Sequence, residues 1–175
     1  VNVPNALTLL RIALVPIYLI VFFSDHIIWA YFILIFAGLT DVVDGYIART
    51  YKMTTATGEM LDPLADKLMM LAVIFSFLLS GRISIWAASV FFLRDLAMII
   101  LSAFFHFRGK KLVSANIYGK VTTVLFYIVF TSIMFRYTYG ELFLWIVILF
   151  SILTSAIYLM KVLLLNKDIG EKSTP

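Results

Sequence analysis

The sequence predicts an all-α integral membrane protein: a bundle of six transmembrane helices with both termini in the cytoplasm. Three observations carry this reading. First, 63% of the 175 residues are apolar and 14% are charged, against about 25% charged in an ordinary soluble domain. A chain this short cannot enclose so much apolar surface in one core, and a disordered chain would be far more polar. Second, apolar stretches of about 20 residues, the length that crosses a bilayer, recur along the chain. Third, lysine and arginine fall unequally on the connections between them.

Taken in order, the stretches run over residues 6–23, 28–49, 61–80, 83–107, 117–135 and 142–165. The first carries Asn5, Thr8 and Arg11 at its start and shows no small-residue cleavage site around Phe22-Phe23-Ser24. It reads as a span rather than a signal peptide. The second holds Asp41 and Asp44 inside its end. The third opens on Asp62 and Pro63, and proline suits a first helical turn. The fourth carries Arg94-Asp95 at its middle, and the fifth has Lys120 near its start. Helix is the economical reading throughout, because lipid offers backbone groups no partners and no stretch alternates as a barrel strand does. Residues 1–165 read as one domain and 166–175 as a polar tail that frays. The chain has no cysteine, which excludes disulfides and thiolate metal sites.

With six spans, one side collects Arg11, Arg49, Lys52, Lys67, Arg108, Lys110, Lys111, Lys120, Lys161, Lys167 and Lys172, and the other Arg82 and Arg136. That bias puts the termini in the cytoplasm.

Acidic residues concentrate as well: Asp41, Asp44, Glu59, Asp62 and Asp66 lie within 41–66. At 1.5 Å per residue, Asp41 is about 12 Å below the cytoplasmic end of its span. Carboxylates at such depth are expensive and mark function. At 100° per residue, Asp41, Asp44, Gly45 and Ala48 fall within an arc of about 100°, two carboxylates beside two nearly absent side chains. Asp62 and Asp66, four apart, share a face of the next span. Four carboxylates in a medium of low dielectric repel one another or stay protonated. Divalent cations resolve the conflict, and an all-oxygen set suits Mg²⁺ or Mn²⁺ better than Zn²⁺. Four carboxylates can hold two such ions, an arrangement used for displacement at phosphorus. Glu59 falls off this register and reads as solvated.

The residues from Asp41 to Asp66 spell Asp-x2-Asp-Gly-x2-Ala-Arg-x8-Gly-x3-Asp-x3-Asp. This pattern resembles the signature of the CDP-alcohol phosphatidyltransferases, integral membrane enzymes of phospholipid synthesis. Pro4, Asn5, Thr8, Arg11 and Pro16 resemble the family's first span. The resemblance implies a transfer from CDP-diacylglycerol to an acceptor hydroxyl with release of CMP. It implies that Asp41, Asp44, Asp62 and Asp66 bind two divalent cations, with Asp66 also the general base. It implies that Gly45, Ala48 and Gly58 line the cytidine nucleotide, with Asn5, Thr8 and Arg11 approaching the nucleotide or its phosphates. Arg49 reads as a phosphate contact or as a positive-inside anchor, and Asn5 and Thr8 also suit helix caps. The resemblance also implies a homodimer. The polar halves of the first three spans lie on the cytoplasmic side, so the active site is expected to face the cytoplasm, in a bacterial cytoplasmic membrane. No nucleic-acid partner is expected.

For the acceptor, Arg94, Arg108 and Lys120 form the candidate anion site, while Arg94-Asp95 also reads as a structural pair. Lys110 and Lys111 suit anionic membrane lipids. Glycerol 3-phosphate is the expected acceptor. Phosphatidylglycerol, the acceptor of cardiolipin synthases in the same superfamily, is the alternative. Arg94-Asp95 resembles that second branch, and Thr122 stands where the first usually carries a lysine. A divalent-cation transporter is the remote alternative.

Overall fold

The computed structural model describes residues 3–50, 56–107 and 117–172. Among the described residues it contains six α-helices and no strand: α1 Val3–Phe23, α2 Ile27–Thr50, α3 Ala56–Leu79, α4 Ile85–Phe107, α5 Ile117–Met134 and α6 Gly140–Lys172. α1 and α6 contain the stretches Ala6–Phe23 and Gly140–Leu164, each long and apolar enough to cross a membrane. Large apolar side chains cover outward faces as well as the core. Phe32, Phe36 and Leu39 on α2, Leu93, Leu96 and Ile100 on α4, and Ile146, Leu149 and Leu153 on α6 are all exposed. Contiguous apolar surface on this scale is foreign to water-soluble monomers.

Two bounds differ from the expectation. α3 begins at Ala56 rather than near residue 61. The polar residues Thr57 and Glu59 depress hydropathy there without opposing a helix. α6 runs on through residues 166–172, which were expected to form a frayed polar tail. Lys167 and Glu171, and Asp168 and Lys172, are opposite charges four residues apart, a spacing that supports helix.

The chain divides into two compact units, residues 1–82 and 83–175. In the first, α1 packs against both α2 and α3, which touch each other only slightly. Pro4 lies in the first turn of α1, where its missing N–H costs nothing. Pro16 removes an interior hydrogen bond, a defect that membrane helices tolerate. Tyr18, Phe22, Leu34, Val73, Ile74 and Phe77 are buried, and Ala30, Ala37, Ala65 and Ala72 are buried between them. Small residues of this kind let helices approach closely. The Ser76 hydroxyl donates to the Val73 carbonyl at 2.7 Å. Its proton is therefore committed, and the Tyr18 hydroxyl donates to Ser76 Oγ at 3.0 Å. Arg82 lies 4.9 Å over the ring of Phe22, a cation–π contact that closes this unit.

In the second unit, α6 packs against α5 and, over a smaller area, against α4. Phe91 and Phe126 meet edge to face, centroids 5.3 Å apart. Ser84 caps α4: its Oγ accepts from the Ala87 N–H at 3.3 Å. The Ser84 N–H in turn donates to Glu141 Oε1 at 3.0 Å, so α4 and α6 begin side by side.

The turns after α1, α3 and α5 close in the same way. The N–H groups of His26, Arg82 and Tyr137 reach back to the carbonyls of Val21, Phe77 and Ser132 at 3.2, 2.8 and 2.9 Å. The residue before each, Asp25, Gly81 and Arg136, is left-handed with φ of 62°, 64° and 55°. This is the glycine-favouring helix stop, filled by glycine once. The chain's three tryptophans stand near the starts of the helices that follow: Trp29 on α2, Trp86 on α4 and Trp145 on α6.

Candidate active site

Thr8 and Arg11 are three residues apart on α1 and both are buried. A guanidinium withdrawn from water needs a charged or hydrogen-bonding partner. Arg11 finds it 30 residues away, where Nη1 donates to Oδ1 of Asp41 on α2. Nη2 lies 3.4 Å from Thr8 Oγ1. The Arg11 side chain is 3% exposed and that of Asp41 is 44% exposed. The carboxylate is thus gripped from the buried side and open on the other.

Asp41 lies within a helix that continues without a break to Thr50. Residues 41, 44, 45 and 48 thus lie on one continuous helix. Residues 58, 62 and 66 all lie on α3, and the Asp66 side chain is half-buried next to buried Ala65. The helices bearing the acidic stripes are the two that α1 joins.

The structure thus brings together Thr8, Arg11 and Asp41, and places Asp66 on α3. The side-chain placements at Asn5, Asp44, Gly45, Ala48, Arg49, Gly58, Asp62 and Lys120, and the whole of Arg108, lie outside the described residues. Among the described residues no three acidic, histidine or cysteine side chains gather at one point; Asp44 and Asp62 fall outside that set. The donor chemistry fits a hard divalent cation: carboxylate oxygens, one of them half-open, in a chain without cysteine.

Arg94 sits in the second unit. Nη1 donates to Oδ1 of the neighbouring, buried Asp95. Nη2 reaches Ser155 Oγ at 3.0 Å and the Ser151 carbonyl at 3.4 Å. Its Nε is buried without a hydrogen-bond partner. Arg94 and Ser155 are the polar members of an otherwise apolar groove of about 440 Å³ between α4 and α6, lined also by Leu93, Ala97, Ile152 and Leu159. Sequence reasoning found Arg94 and Asp95 but missed Ser155, whose hydroxyl on an apolar span was the available signal; Ser151 offers only a backbone carbonyl, which no side-chain pattern marks.

Helices with apolar outer faces, two of them carrying aspartates and packed on a third whose buried arginine grips Asp41, define a protein that is all-helical among the described residues, with a charged pair between its first two helices. The chain belongs to the CDP-alcohol phosphatidyltransferase family, which matches residues 1–157. It is 34% identical over 134 residues to a protein of Mycobacterium tuberculosis named "Putative cardiolipin synthase", covering 76% of this chain and 64% of that protein's length. It is 29% identical over 184 aligned positions to the CDP-diacylglycerol--glycerol-3-phosphate 3-phosphatidyltransferase of Bacillus subtilis, covering 91% of this chain and 94% of that one. A protein of the same name from Wigglesworthia glossinidia brevipalpis is 33% identical over 145 residues, 79% of each chain.

Proposed function

We propose that the protein is an integral membrane transferase that moves a phosphatidyl group from CDP-diacylglycerol to glycerol 3-phosphate, giving phosphatidylglycerophosphate and CMP. The observation that carries the reading is the contact between Arg11 of α1 and Asp41 of α2. It joins the polar start of the first helix to the first carboxylate of the signature. The family assignment and the names of the Bacillus and Wigglesworthia relatives support both the reaction and the acceptor.

In this reading Asp41, Asp44, Asp62 and Asp66 hold two divalent cations, Mg²⁺ or Mn²⁺. When bound, such ions neutralise charge on the diphosphate as the leaving group departs. Asp66 takes the proton from the acceptor hydroxyl as its oxygen bonds to the phosphorus nearer the lipid. The bond from that phosphorus to the CMP oxygen breaks, and CMP leaves. Asn5, Thr8, Gly45, Ala48, Arg49 and Gly58 line the nucleotide. Arg94, Arg108 and Lys120 receive the acceptor's phosphate, and the buried Nε of Arg94 is a donor available for it.

The chain crosses a bacterial cytoplasmic membrane six times as a homodimer, with residues 1–165 forming one transferase domain. Both termini and the active site face the cytoplasm. The distribution of lysine and arginine supports that orientation. The tryptophans at the starts of α2, α4 and α6 suit a shared membrane–water boundary, since tryptophan favours both interfaces, and leave the sidedness to the basic residues. A second reading, phosphatidylglycerol as acceptor, is favoured by the mycobacterial relative's name and by Arg94-Asp95.

The test is direct. Purified protein in detergent receives CDP-diacylglycerol, Mg²⁺ or Mn²⁺, and each acceptor in turn. CMP release with glycerol 3-phosphate is expected. Release with phosphatidylglycerol alone selects the second reading, and release with no acceptor defeats both.

A further inference from the structure

The sequence places Arg11 among groups that approach the donor's phosphates, but its described contacts point elsewhere. The guanidinium is buried, donates to Asp41 Oδ1, and lies near the Thr8 hydroxyl at 3.4 Å on the same helix. A planar guanidinium held at two of its nitrogens has little freedom to swing toward a ligand. It can instead fix the plane of the carboxylate it grips, as groups behind a metal ligand commonly do.

We infer that Arg11, braced by Thr8, is a positioning residue for Asp41: it holds the carboxylate through Oδ1 and leaves Oδ2 for a divalent cation. The inference rests on the proposed metal role of Asp41 and assigns Arg11 to the protein side of that site rather than to the substrate. Two physical needs are met at once. Carboxylates clustered at helical spacing repel before any cation arrives, and a fixed positive charge on α1 offsets part of that repulsion. A carboxylate on a long helix can rotate about its side-chain bonds, and a charge-assisted hydrogen bond from a buried donor narrows that freedom. α1 is suited to the task because it packs against both α2 and α3.

The decisive variant is Arg11→Lys. It keeps the positive charge, so the long-range field on a cation is nearly unchanged, but it cannot grip Asp41 and meet Thr8 in the same plane. Mn²⁺ binding to the full-length protein in detergent is measured by the electron paramagnetic resonance of free Mn²⁺, without donor or acceptor. The KM for CDP-diacylglycerol is then measured at saturating Mn²⁺. The expected result is Mn²⁺ affinity lowered about tenfold, a loss of roughly one hydrogen-bonded contact, with donor KM within about twofold of the parent. Thr8→Val, which removes the brace and keeps the shape, should weaken Mn²⁺ by about threefold, and it decides the matter if Arg11→Lys does not fold. Unchanged Mn²⁺ affinity overturns the inference, and a raised donor KM with unchanged Mn²⁺ affinity returns Arg11 to the substrate's phosphates. Both outcomes leave the transferase reading intact. The parent protein's failure to release CMP with any acceptor would instead defeat that reading.

Discussion

Removing the carboxylate of Asp41 should destabilise the protein by taking from buried Arg11 the charged group it grips. Breaking a fully buried ion pair from one side costs about 3–5 kcal/mol, whereas an exposed pair is worth under about 1 kcal/mol. Here one partner is 3% and the other 44% exposed. The acidic half of the pair is therefore open and the basic half stays enclosed. That geometry puts Asp41→Ala near 2 kcal/mol, between the two limits. In a chain of this length the melting temperature should fall by roughly 4–8 °C. Arg11→Met is milder, about 1 kcal/mol, because the aspartate it leaves behind is only half-buried. The double variant removes both charges and should be no less stable than Asp41→Ala alone, with a coupling energy of about 1 kcal/mol or more. Thermal unfolding of the four proteins in one detergent, followed by circular dichroism, closes the cycle. Additivity within about 0.3–0.5 kcal/mol would mean that the two residues do not interact, and the geometry of the site would have to be abandoned.

Other expectations follow from the same structure. Asp66→Asn should lower CMP release by at least about 100-fold, the range for losing a general base, while binding of a CDP-alcohol measured by calorimetry stays near normal; near-parental turnover removes Asp66 as the base. Arg94→Ala should raise the KM for a phosphorylated acceptor more than that for the donor; an unchanged acceptor KM makes Arg94 a brace between α4 and α6. Gly140→Ala should destabilise by about 1–3 kcal/mol, because the added carbon would lie 3.0 Å from Ile133 Cγ1 and 3.3 Å from its backbone. Gly119→Ala meets nothing within 4 Å and serves as the contrast, neutral or slightly stabilising in a thermal melt.

How far the sequence reaches can be judged residue by residue. Hydropathy located α1, α2, α4 and α5 closely because runs of apolar side chains both favour lipid and leave the helix uninterrupted. It began α3 late because Thr57 and Glu59 are polar, and polarity says nothing against helix. It ended α6 early at Asn166 for the same reason. Helical spacing correctly put Thr8 and Arg11 on one face of α1, but a face does not name a partner. The pairing of Arg11 with Asp41 spans 30 residues, that of Tyr18 with Ser76 spans 58, and that of Ser84 with Glu141 spans 57. Such contacts depend on how helices are set against one another, and no local pattern encodes them. Glu141, one residue before the expected sixth span, is for this reason the most instructive. It opens α6 and holds the first turn of α4.

The placement of the three indoles has a practical corollary. With Trp29, Trp86 and Trp145 near the starts of α2, α4 and α6, the proposed topology gathers all the protein's intrinsic indole fluorescence into a single headgroup layer. In sealed vesicles of known orientation, a membrane-impermeant quencher added to the periplasmic-facing side should dim nearly the whole emission. The same reagent trapped on the opposite side should leave it bright, so sidedness can be read without attaching any label.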